Sequence, residues 1–326
     1  MDNQTVSDVP FSTPPVVLSD AELWIQLVVF YGILCGLLAN VLNVLTWIGI
    51  MRQKEMRTRF FVIVAALSLC RTGLCMQYLV TAVYRALRTL GVVSLRQRRL
   101  TCHFIHFWLI NGYTLELTLL CSLLVERILA IVCPNYYYKI EHKPVYTVCA
   151  SQYVLVSLLK LVPSYIGEDL SNAVNCVNLY SFLSPTFNSY MQSTDFALTA
   201  VILFLYCCLI MFVRWKSKRL ATRARANEAA RALLNTHLKL MPVLRTLILL
   251  HCGLTLGAKL LSFLSGFFPQ QYSQRLIALG GIFVCLDLSI NAIALLATNK
   301  DIRDSALPCI TRIRAIMTAN NQVAPM

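Results

Sequence analysis

Arg71, Glu116, Lys160, Lys259 and Asp287 stand inside long apolar runs of the chain. A charge at the centre of a bilayer costs about 2.5–3.5 kcal/mol on insertion scales, so such groups pair or face an interior. Arg71 and Glu116 fall near the middle of their runs, and Asp287 near the same level. A planar guanidinium fork suits two carboxylates. The expected arrangement is an internal ion cluster of Arg71 with Glu116 and Asp287. The alternative is an Arg71 that snorkels or satisfies backbone carbonyls while the carboxylates are protonated. Asn40 and Asn291 are expected to complete this polar core by hydrogen bonding across helices. A second pattern is one of distance. Cys102 stands 25 positions before Arg127, and at about 1.5 Å of rise per residue that is roughly 37 Å, a full crossing of a membrane.

Hydrolytic chemistry is poorly supplied. The five histidines, His103, His106, His142, His237 and His251, are scattered along the chain, whereas a zinc hydrolase needs converging His and carboxylate ligands. His103 and His106 are one turn apart but lack further ligands, and they read as polar rim residues. No Ser/His/Asp grouping or phosphate loop is visible. No metal, cofactor or enzyme activity is implied.

The elements that must carry these groups are apolar. The chain has 326 residues, is 57% hydrophobic and 13% charged, and has a mean hydropathy of +0.64. That composition belongs to a membrane protein. The formal charge of +14 comes without a basic-aromatic module, so nucleic acid is not implied. Most of the thirteen cysteines lie in apolar runs (Cys70, Cys75, Cys121, Cys207, Cys208) and act there as small hydrophobes.

Spans are expected at about 23–50, 60–85, 101–132, 145–166, 193–214, 241–267 and 274–298. The fold class is thus an all-α seven-transmembrane bundle. A polar, acidic tail 1–22 precedes it, and a cytoplasmic tail 299–326 follows. The segment 1–22 lacks a leader's basic start, so the first span is expected to be its own insertion signal.

Lys and Arg crowd the loops on one side, most densely at Arg214, Lys216, Lys218, Arg219, Arg223, Arg225, Arg231 and Lys239. The positive-inside rule then puts the N-terminus outside. The sequon at Asn3 falls on the same outer side, as a glycosylation site. The first outer loop departs from the rule with Arg85, Arg88, Arg96, Arg98 and Arg99. It is either a solvated helix extension, paired with Glu168 and Asp169, or a basic rim for acidic ligands.

The segment Glu126-Arg127-Ile128-Leu129-Ala130-Ile131-Val132-Cys133-Pro134-Asn135-Tyr136-Tyr137 resembles the signature of rhodopsin-like (class A) G-protein-coupled receptors. Ala130, Ile131, Pro134 and Tyr137 hold its offsets, and Ile128 replaces the usual aromatic. Ala39-Asn40 is similar to the family's Gly-Asn pair. Asn291-Ala292-Ile293-Ala294-Leu295 is similar to a degraded Asn-Pro-x-x-Tyr, and Asn299 to Arg303 resembles the start of a short membrane-parallel amphipathic helix. Arginine replaces the second-helix aspartate, and the Trp-x-Pro element of helix six and the tryptophan of helix four are missing. Such divergence is similar to nematode-type serpentine chemoreceptors. Bitter-taste receptors share the second-helix arginine but usually lack the cysteine anchor.

The resemblance implies a disulfide from Cys102 to Cys176, in the second outer loop. It implies a G-protein contact at Glu126, Arg127, Pro134 and Tyr137, with Arg127 held at rest by Glu126 and freed as helix six moves outward. It sets Glu116 where a small polar residue helps bind sodium, so that the Arg71 guanidinium stands in for the cation. Lys259, together with the His106, Ile110 and Tyr113 face of helix three, is the expected ligand site. Trp108, on another face, is expected at the lipid interface. A retinal-binding opsin is excluded, because helix seven has no lysine. Cys309 is either palmitoylated or a plain thiol.

The implied function is a chemosensory receptor in the plasma membrane, including that of sensory cilia. Its partners are an extracellular small molecule or peptide, a heterotrimeric G protein and the bilayer. A transporter or ligand-gated channel is the alternative, although no internal repeat is visible.

Overall fold

The computed structural model describes residues 20–52, 58–89, 97–133, 143–165, 173–174, 183–223, 228–265, 267–300 and 302–306, with Val92, Tyr137 and Pro308. These residues are almost entirely helical: α1 Asp20–Arg52, α2 Arg59–Thr89, α3 Arg99–Ile105, α4 Phe107–Val132, α5 Lys143–Tyr165, α6 Pro185–Arg223, α7 Glu228–Ser265 and α8 Gln270–Thr298. An apolar chain in lipid has no water to satisfy its amides, and a helix satisfies them within itself. Among the described residues, six helices are long and apolar enough to cross a membrane. They are α1, α2, α5, α6, α7 and α8. The expected third span, α4, is not among these six, yet its 26 residues reach about 39 Å at 1.5 Å per residue.

Two departures from a purely helical, uninterrupted reading occur. A two-residue ribbon pairs β1 (Gln97–Arg98) antiparallel with β2 (Ala173–Val174), with Gln97 opposite Val174. The third hydrophobic run is broken at His106, whose φ of −108° and ψ of 14° separate α3 from α4. The hydrogen bonds His106 N–H to the Cys102 carbonyl and Ile110 N–H to that of His106 (3.0 Å each) carry the axis across the break.

α4 is the axle of the bundle. It packs on α2, α5 and α6, while α1 lies against α2 and α8, and α7 against α8. Most of its residues are buried, from Ile110 to Ile131. The contact with α2 is close because glycines face large side chains. A Cβ on Gly112 would meet Leu74 at 2.5 Å, and one on Gly73 would meet the Trp108 ring at 2.9 Å. Trp108 therefore packs on α2 and is half-buried.

α4 ends at Cys133, whose N–H still reaches the Leu129 carbonyl, and Pro134 follows. A proline cannot continue the hydrogen-bond ladder. α8 ends at Asn299, whose Oδ1 accepts the Ile302 amide at 3.2 Å and so starts the short helical turn 302–306, an N-cap in form. That turn lies on α1: Ile302 is fully buried, and a Cβ on Gly49 would meet its carbonyl at 3.1 Å.

Candidate functional site

Three groups of buried polar side chains are strung along α4. Near its Arg127 end, both carboxylate oxygens of Glu126 accept from the Arg127 guanidinium. Tyr137 donates its hydroxyl to Glu126 and lies 3.2 Å from an Arg127 nitrogen. The guanidinium rests over the Phe60 ring at 4.6 Å, and that of Arg59 over the Tyr137 ring at 4.5 Å. Burial, then the neighbouring Glu126, raises the Tyr137 phenol above its ordinary pKa, so it stays a donor. Arg127 is thus clamped by charge, hydrogen bond and ring at once. Pro134 lies outside the described residues.

The middle group joins α2, α4, α7 and α8. Arg71 donates to Glu116 Oε1 at 2.6 Å, and both side chains are essentially without exposure. His251 Nδ1 is 2.8 Å from Asp287 Oδ2 and 3.4 Å from Glu116 Oε1. Facing carboxylate oxygens, Nδ1 is the donor in this contact. Asn291 donates to Asp287, to its side chain and to its backbone carbonyl at 3.0 Å.

Arg71 pairs with Glu116, whereas the wiring of Asp287 differs from the expected one. Asp287 is within electrostatic reach of Arg71, yet its oxygens go to His251 and Asn291. His251 is the member the sequence did not reveal, because an isolated histidine on an apolar helix gives no sign of its partner. Glu116, His251 and Asp287 present ligand atoms within 4.8 Å of one another. A cation held by them would meet the Arg71 guanidinium, which already takes Glu116 Oε1, so the ion-pair assignment is preferred.

The two asparagines need correction. Asn40 donates to the Gly36 carbonyl of its own helix at 3.0 Å, and Asn291 likewise stays on α8. The cross-helix bond is made by Asn43, which donates to Ala39 at 2.8 Å and to Leu288 of α8 at 3.2 Å. Asn43 is three residues after Asn40, which turns it about 60° around the helix, and that turn separates the side chain that reaches α8 from the one that does not.

The third group lies on the other side of α4. Thr114 donates to Asp195 Oδ1 at 2.7 Å. Lys160 Nζ is 3.9 Å from that same oxygen and 5.0 Å from the Tyr190 ring centroid. Lys259 is within electrostatic reach of Asp195 and Lys160. Asp195 and Thr114 carried no signal in the sequence; a carboxylate three residues into an expected span was the available clue.

The expected ligand residues fall in separate neighbourhoods. His106 is buried at the α3–α4 break. Ile110 packs with Tyr84, Cys102, Leu183, Phe187 and Met191. The Tyr113 hydroxyl meets that of Tyr78, and Lys259 belongs to the third group. His103, expected at a polar rim, is buried and stacks with Tyr165 at 4.5 Å between ring centroids. Cys102 is buried and disulfide-bonded. Cys176, Asn3 and Cys309 lie outside the described residues.

No individual curated protein matches the chain. The model of one family does match, described as the serpentine type 7TM GPCR chemoreceptor Srsx, over residues 33–307. That range takes in all three polar groups, and the family is one of receptors rather than enzymes. The chain, a multi-pass membrane protein by its helices, belongs to the Srsx family of serpentine chemoreceptors.

Proposed function

We propose that this chemoreceptor crosses the membrane seven times, with α4 as the third crossing and the N-terminus outside. It binds an extracellular small molecule or peptide and activates a heterotrimeric G protein. The observation that carries the reading is the clamp on Arg127, a buried cation held by Glu126, Tyr137 and Phe60 at one end of the most buried helix. Such a clamp describes a resting state, and outward movement of the inner end of α7 releases it as a shift between two packings.

A disulfide from Cys102 to Cys176 tethers the opposite end. It is supported by the ribbon, which sets Val174 opposite Gln97 five residues before Cys102. Asn3 carries a glycan on that outer side, Pro134 contributes to the transducer contact, and Cys309 is a lipidation site beyond the 302–306 turn. The tail 1–22 is extracellular and 299–326 cytoplasmic.

The test is ligand-independent nucleotide exchange on Gα subunits in membranes bearing the receptor. Glu126→Gln weakens the clamp. Removing one to two kcal/mol from the resting state raises a minor active fraction about 5- to 30-fold. Arg127→Ala abolishes that rise at equal surface level. No exchange on any Gα class from Glu126→Gln, together with ligand-gated current in cells lacking G proteins, would replace this reading with a channel.

A further inference from the structure

The third polar group has an excess of positive charge. Lys160 approaches one carboxylate, Asp195, which also accepts from Thr114, and Lys259 lies within electrostatic reach of the same carboxylate. Lys160 is 1% exposed. Both Nζ atoms are buried, and neither has a hydrogen-bond partner among the described residues. Lys160 has only the 3.9 Å approach to Asp195 and the face of Tyr190. A buried ammonium offers three donors, and leaving them unmade is costly. The middle group, by contrast, matches Arg71 and His251 against Glu116 and Asp287.

Next to this group the buried side chains turn apolar. Ile110 is one turn before Thr114 on α4, and Met191 is one turn before Asp195 on α6. At i and i+4 they lie over the polar pair. Ile110, Phe187 and Met191 are packed together there.

We infer that Lys160 and Lys259 form the recognition site for the carboxylate of a small monocarboxylate ligand, whose apolar body lies toward Ile110, Phe187 and Met191. This deepens the receptor reading and rests on it. One carboxylate supplies the missing negative charge and accepts from both ammonium groups in charge-assisted hydrogen bonds. Asp195 holds the lysines in place when the site is empty and competes with the ligand when it is full. An amine would meet like charge, and an alcohol of the same length would leave the excess charge uncompensated.

The test uses the purified full-length receptor in nanodiscs and linear monocarboxylates from butyrate to decanoate, each with its matched primary alcohol and amine. Thermal stabilisation is the first readout. At least one carboxylate is expected to stabilise the receptor, and its matched alcohol and amine are not. Lys160→Gln and Lys259→Gln lose the effect, and the corresponding Arg variants keep it. Asp195→Asn shifts the half-maximal concentration down about 3- to 10-fold, because a competing charge is removed. That gain is one that simple structural damage would not produce, and it keeps the inference testable if a lysine variant fails to fold. Equal stabilisation by alcohols or amines, retention of the effect in both Gln variants, or no stabilisation by any carboxylate overturns the site. The second readout is Gα nucleotide exchange by Glu126→Gln. If exchange rises while no carboxylate binds, the site fails and the receptor reading stands. If carboxylates bind and exchange never rises, the receptor reading fails and the site stands.

Discussion

The two buried charge groups on opposite faces of α4 are made of similar side chains and are arranged for different ends. Glu116 and Thr114 are two residues apart, which turns them about 200° around the helix. Glu116 looks toward α2, α7 and α8, where Arg71, His251, Asp287 and Asn291 close a chain of donors and acceptors. Thr114 looks toward Asp195 of α6, which Lys160 of α5 approaches and Lys259 of α7 reaches electrostatically. The first group is balanced, and its task is to fix how four helices meet. The second is unbalanced, and its free donors are available to something that arrives. The lesson is that burial alone does not separate a structural polar core from a binding site; the balance of charge does.

The comparison is broken most severely by removing one half of a balanced pair. Glu116→Leu leaves the Arg71 guanidinium buried without its carboxylate, a cost of about 3–5 kcal/mol. Surface expression, measured by an N-terminal tag in intact cells, should fall nearly to background. The double variant Arg71→Met with Glu116→Leu should recover most of it, because no orphan charge remains. Asp287→Asn keeps the shape but weakens the His251 contact. Hydrogen bonds to charged groups contribute about 1.5–3 kcal/mol, so a clear drop in the melting temperature of the purified receptor is expected.

Gly112→Ala acts on the same face by steric means. Its methyl would sit 2.5 Å from Leu74, and overpacking of this kind costs about 1–3 kcal/mol. Gly253→Ala is the matched control, since a Cβ there meets nothing within 4 Å; a slight stabilisation of roughly 0.5–1 kcal/mol is expected. The smallest effect on stability belongs to the other group. Lys160→Met removes an uncompensated charge, so the unliganded receptor should melt at an unchanged or higher temperature. A large destabilisation would show that Lys160 is as structural as Arg71 and would erase the contrast.

Much of this was legible along the chain. Helices α5 to α8 enclose or nearly match the expected spans, and α6 and α7 run well past 193–214 and 241–267 into the alanine- and arginine-rich stretch between them. Alanine and arginine are good helix formers, so that extension follows from propensity. Glu126 and Arg127 are adjacent, and Tyr137 follows at a short offset, so their meeting is nearly local. The pairing of Arg71 with Glu116 was readable too, since few partners exist for a charge inside an apolar run.

Direction around each helix was not readable. Helix α1 is apolar almost all round, and a sequence with no polar face does not say whether Asn40 or Asn43 meets α8. Nor does it say that Asp287 turns to His251, or that Trp108 rests on Gly73.

The sequence by itself determined that this chain forms long apolar helices, that its buried charges need partners, and that Arg127 follows Cys102 by 25 positions. Those properties depend on composition and on spacing along the chain, and both are carried by the linear order. Only the tertiary structure decided which charges neutralise one another and which lysines are left with donors to spare. That choice depends on the azimuth and height at which separate helices pack. Glycine-to-side-chain contacts such as Gly112 with Leu74 set those positions, and neighbours in space have no fixed separation in sequence.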